Sequence, residues 1–222
     1  MTLSLNPPPP DPKFILKMLA EGEQRIGAPK DSLISLSTDN DWSLVIKAHA
    51  LVESAVTALL ATLLDPRLRE GLSRLELGRP GCGKVELLKY LGKLSTHQRR
   101  FISFLSELRN QLAHDAAFLQ FGFQSYLATL NPAQKKKFFE AMALATEGEN
   151  KAAWLALLDK NPQAGILMCT ISVVMICTIE AQGHAQQLKA TDIYARLGKA
   201  MSEMETEQAA VEATLPEVTS ES

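Results

Sequence analysis

The run Ile166-Leu167-Met168-Cys169-Thr170-Ile171-Ser172-Val173-Val174-Met175-Ile176-Cys177-Thr178-Ile179 constrains this chain more than any other stretch. It is apolar nearly all round, and a helix of that kind must be enclosed by other elements. It belongs either along the centre of a helical bundle or in a subunit interface. It falls short of the ~20 apolar residues of a membrane span, and Thr170, Ser172 and Thr178 interrupt it. Its β-branched residues would also suit a strand, but no partner strand is evident in the chain. Asn161-Pro162 just ahead is a helix start, with the amide as N-cap and proline at the first position. The expectation is a buried helix that other helices surround, in a chain that does not cross a membrane.

Those other helices are legible. Asp39, Asn40 and Asp41 offer N-cap oxygens. Val45, Ala48, Val52, Ala55, Val56, Leu59 and Leu63 then recur at helical spacing, and Asp65-Pro66 stops the stripe. A first helix covers Pro12 to about Ile26, ended by Gly27-Ala28-Pro29. Lys84 to Leu94 reads as a helix, and Ser95 with Gln98 forms a capping box that opens the next one. Asn131-Pro132 starts another, and Lys151 to Leu158 a short one carrying Trp154. The fold class is therefore all-α. Four consecutive prolines, Pro7 to Pro10, assign residues 1–13 to a disordered start. Six acidic residues and no basic one after Met201 assign 205–222 to a disordered acidic tail. Residues 14–204 read as a single helical domain.

The net charge of the 222 residues is −2. Without the tail, 23 basic residues stand against 19 acidic ones, too small a surplus to mark a nucleic-acid binder by bulk charge. Cys82, Cys169 and Cys177 are odd in number and widely spaced. With a start that reads as no targeting segment, they point to a reducing, cytoplasmic compartment without a disulfide framework. No Cys-x-x-Cys pair suggests a structural zinc, and no metal or cofactor is expected. Gly78-Arg79-Pro80-Gly81-Cys82-Gly83-Lys84 fits the Gly-x-x-x-x-Gly-Lys skeleton of a phosphate-binding loop. Val85 fails the last position, where a hydroxyl must reach magnesium. No β-rich segment is available to build the sheet that motif needs, so the match is read as coincidence.

Chemistry concentrates in Arg109-Asn110-Gln111-Leu112-Ala113-His114. Phe101, Phe104, Leu105, Leu108 and Leu112 share one face of this helix. A permanent cation beside a group that titrates near neutrality can hold a phosphate and move a proton. Arg109 and His114 are separated by roughly 140° around the helix, a wide angle for two groups serving one atom. Asp115 either orders the imidazole or ends the helix. On the preceding helix, His49 and Glu53 lie one turn apart. They are either a solvated pair at the stripe edge or a carboxylate that holds Arg109.

Arg109-Asn110 followed after two residues by Ala113-His114 resembles the Arg-Asn…His signature of the HEPN superfamily. The order from Ile46 to Phe121 resembles the mannitol operon repressor family, itself of HEPN-like build. The first resemblance implies an HEPN-like helical bundle, here with extra C-terminal helices and a core motif region at 42–121. It also implies a homodimer with the cleft between protomers, and metal-independent cleavage of RNA. Arg109 and His114 would be catalytic, Asn110 would orient the phosphate, and Glu53 and Asp115 would support them. A protein partner such as an antitoxin belongs to the same expectation. The second resemblance implies a non-enzymatic dimeric regulator or adaptor, in which Arg109 and His114 serve packing and capping.

Overall fold

Asn40 begins the longest buried helix because its side-chain oxygen accepts the amide of Ser43, 2.8 Å away. The computed structural model describes residues 12–143 and 149–214. In it the chain is all-α. Its elements are α1 (Pro12–Ile26), α2 (Ser32–Ser35), α3 (Asp41–Leu63), α4 (Arg69–Ser73) and α5 (Lys84–Tyr90). They continue with α6 (Thr96–His114), α7 (Phe123–Thr129), α8 (Pro132–Ala141), α9 (Glu149–Lys160) and α10 (Pro162–Thr214).

The local signals act as the residues suggest. Ser95 and Gln98 close a capping box ahead of α6, and Asn131 with Gln134 closes a second ahead of α8. Gly27 ends α1 at φ 75°, a left-handed conformation that glycine adopts without strain. One capping group is less obvious. Glu23 is buried, and its carboxylate accepts the amides of Asp31 and Leu33, so a side chain of α1 supplies the N-terminal acceptor of α2.

The chain divides into two compact units, Met1–Ala181 and Gln182–Ser222. In the first, α3 is central and packs against α1, α4, α5 and α6. Leu44, Val45, Ala48, Val52, Val56, Leu59 and Leu60 of α3 are fully enclosed, with Phe101, Ile102 and Leu105 of α6 in the same core. The start of α3 is tied to the end of α6. Trp42 Nε1 donates to the carbonyl of Leu112, one of the orphan acceptors of the last turn. Asp41 accepts the amide of Phe123, and Phe121, Phe123, Tyr126 and Phe138 pack ring against ring behind that end. The aromatic stretch after His114 thus lies back on the bundle.

One sequence expectation changes. The apolar run does not bury all round. Ile166, Cys169, Thr170, Val173, Val174, Cys177 and Thr178 face the core at steps of three and four, while Met168 and Ile179 are exposed. Burial raises both the Cys169 and Cys177 thiols to about 12, so neither is a reactive thiolate. Beyond the run, α10 continues to Thr214, and the boundary between the two units lies within it, after Ala181. The remaining tail, 215–222, and residues 1–11 of the proline-rich start lie outside the described residues. Asp41–Leu63 and Pro162–Lys199 are each long and apolar enough to cross a membrane by length and composition, a test that core helices also pass. The first of these is α3, at the centre of the core.

The second unit carries the remainder of α10. Leu188, Ile193, Tyr194 and Leu197 are exposed along it.

Candidate functional site

The helix α6 has two working faces. Phe101, Leu105, Leu108 and Leu112 enter the core. Ser103, Ser106, Asn110 and His114 step by three, four and four along another side, so they form a polar stripe. That stripe floors an open cleft of about 580 Å³. His49 and Glu53 of α3 border it, together with the loop Glu76-Leu77-Gly78-Arg79-Pro80, and Arg109 joins from the edge of the stripe. The angle between Arg109 and His114 does not keep them apart: both line this one cleft within one chain.

The loop is held by its own backbone. The amide of Gly83 donates to the carbonyl of Arg79, Lys84 to that of Glu76, and Val85 to that of Leu77. Gly83 is required by close approach, because a Cβ there would stand 2.6 Å from the Arg79 nitrogen. Lys84 then turns inward. It is 1% exposed, and its ammonium donates to Glu53 Oε1 at 2.8 Å and to the carbonyl of Ser73 at 3.3 Å. The lysine of the phosphate-loop skeleton is therefore a buried strut that fastens the loop to α3. The amides of Gly83, Lys84 and Val85 are spent on carbonyls of the same loop, and the lysine is spent on Glu53, which supports reading the motif as coincidence.

The expected partner of Arg109 is corrected by the same contact. Glu53 takes Lys84, not Arg109. The Arg109 guanidinium instead donates from Nη1 to Asn110 Oδ1 at 2.9 Å. Neither Arg109 nor Arg79 has an ion-pair partner among the described residues. The cleft thus holds two guanidinium groups that are not ion-paired, one half-buried and one exposed, although Glu53, Glu76 and Glu107 also line it. His114 and Asn110 are exposed. Asp115 is not brought to the cleft. Its carboxylate accepts the amide of Ala117 and ends α6.

His49 departs from the expected solvated pair. It is 6% exposed, although its neighbour Glu53 stays partly open. Its Nδ1 lies 3.9 Å from Glu53 Oε2. Burial pushes its pKa below the usual 6.5, Arg109 and Lys84 push the same way, and Glu53 opposes them. The ring is therefore held neutral in the fold more readily than in the unfolded chain. Below pH 6.5 the unfolded state takes up a proton that the fold resists, so the contribution of this residue is present above that pH and is lost as pH falls. We expect urea midpoints to decline from pH 7 to pH 5, and His49→Gln to flatten that decline.

Sequence reasoning missed Lys84 as a strut, and it missed the inward position of His49. A signal existed for both. Lys84 is four residues before Leu88, on the buried side of α5, and His49 is four after Val45 and three before Val52. Among the described residues no group of three or more His, Cys, Asp or Glu is placed to hold a metal ion. No protein-family model, curated protein or solved structure matches this chain.

Proposed function

We propose that the cleft binds RNA and cleaves it without a metal ion. The reading is carried by one observation: Arg109 has no carboxylate partner and shares an open cleft with a solvent-accessible His114. A structural role would bind the guanidinium to a carboxylate or close the imidazole from solvent. Instead the arginine is available to an anion, and the imidazole lies within the same basin. Arg109 neutralises the phosphate as it gains charge in the transition state. Asn110, already oriented by its bond to Arg109, presents its amide N–H groups to a phosphate oxygen. His114 moves a proton in the attack of a ribose 2′-hydroxyl on the adjacent phosphorus. That hydroxyl restricts the reaction to RNA.

No Phe, Tyr or Trp among the described residues lines the cleft, so it lacks the large rings on which bases commonly stack. Recognition then rests on phosphate and ribose and carries little sequence preference. Arg109, Asn110 and His114 line one cleft of one chain, so a homodimer is not needed to unite Arg109 with His114.

The test is cleavage of bulk RNA in EDTA. His114→Ala should lower the rate by about a hundredfold or more. Equal rates from wild type and variant end the catalytic claim. A second reading, the dimeric regulator or adaptor, draws on the exposed Leu188, Ile193, Tyr194 and Leu197. Wild-type protein that leaves RNA intact yet sediments as a dimer would favour it.

A further inference from the structure

The cleavage reading uses one histidine, but the cleft has two. We infer that His49 is the second catalytic imidazole: it takes the 2′-hydroxyl proton as base, while His114 gives a proton to the leaving 5′-oxygen as acid. The inference rests on the cleavage reading and assigns the roles within it.

Three features of the cleft carry it. His49 lines the same cleft as Arg109 and His114 but from a different helix, so the two imidazoles reach a bound phosphate from two elements. That arrangement suits a displacement in which the entering and leaving oxygens lie on opposite sides of phosphorus. A carboxylate also stands beside the ring, 3.9 Å away and so without a hydrogen bond to it. Lys84 fixes Glu53 through Oε1, and Glu53 Oε2 faces His49 Nδ1. A carboxylate facing Nδ1 favours the proton on that nitrogen and leaves Nε2 with its lone pair. Neither ring nitrogen of His49 has a hydrogen-bond partner among the described residues, so Nε2 is not consumed within the fold. Lys84 and Glu53 act as positioning residues that touch no substrate.

The two rings sit in different surroundings. Burial, Arg109 and Lys84 hold His49 toward its neutral form. His114 stands in open solvent at the end of α6. The charged groups acting on His49 are Glu53 of its own helix, Lys84 of α5 and Arg109 of α6.

The step balances. The 2′-O–H proton moves to His49 Nε2 as the 2′-oxygen forms a bond to phosphorus. The phosphorus–O5′ bond breaks, and the proton of His114 goes to O5′. The products are a 2′,3′-cyclic phosphate and a 5′-hydroxyl. Proton exchange with water returns both rings to their starting states.

The roles are separated by leaving group. Cleavage of an RNA chain needs an acid for its alkoxide. Uridine 3′-(4-nitrophenyl phosphate) releases a stable phenolate and does not. Both substrates are tested in EDTA, with thermal melts verifying that each variant is folded. His114→Ala should lose about a hundredfold or more on RNA but less than about tenfold on the nitrophenyl ester. His49→Gln should lose alike on both. In the wild-type protein the alkaline limb of the pH profile should vanish on the ester, and the acid limb should coincide with the His49 titration followed by NMR. That last comparison decides the assignment even if His49→Gln does not fold. A folded His49→Gln with wild-type rates, the reverse leaving-group pattern, or an acid limb away from the His49 titration overturns the inference and leaves the cleavage reading standing. A wild-type protein inert on both substrates overturns the cleavage reading itself, and the inference with it.

Discussion

Lys84→Met is expected to lower the folding stability by about 3 kcal/mol, measured by urea denaturation with an unchanged slope. The lysine is enclosed, and its partner Glu53 is 31% exposed. Removing the ammonium leaves the half-buried Glu53 carboxylate without its counter-ion. Loss of one member of a buried pair costs about 3–5 kcal/mol, and the partial access of water to Glu53 holds the cost at the low end of that range. The Ser73 carbonyl loses its donor as well. Adding Glu53→Gln to Lys84→Met should recover most of the loss, because the stranded charge is then gone. A single variant as stable as wild type would show that the pair does not fasten the loop.

On the cleavage reading, Arg109→Ala should reduce kcat/KM for RNA in EDTA by about a hundred- to a thousandfold. The melting temperature should barely move, because Arg109 is half-buried and its recorded bond is to the exposed Asn110. Arg109→Lys should restore only part of the rate. A lysine brings the charge but not the planar fork that can grip two phosphate oxygens while holding Asn110. The fall should appear mainly in kcat, since the charge on phosphate grows toward the transition state. A variant that keeps the rate but loses stability would return Arg109 to a packing role.

The helices were readable because their signals are local. Asn40, the Ser95–Gln98 box and Asn131-Pro132 each satisfy backbone groups within one turn, so no distant part of the chain is needed to predict them. The cluster Arg109-Asn110-His114 was equally visible, as three polar residues ending an otherwise apolar-faced helix. What stayed hidden depends on contacts across sequence distance. Lys84 reaches Glu53 over 31 residues, and nothing near either residue declares the other. The loop at Gly78 to Gly83 drew attention for a phosphate skeleton, whereas its glycine at 83 answers to the backbone of Arg79. The run at Ile166 was judged by composition. Only the fold could show that one side of it is covered and that Met168 and Ile179 are not.

A single carboxylate, that of Glu53, both braces the loop through Lys84 and borders the basin beside His49. Selection therefore cannot tune robustness and turnover independently at that position. A mutational survey scored by cellular abundance will flag position 53 as a folding determinant and mask its share in any reaction; rates normalised to folded protein will separate the two.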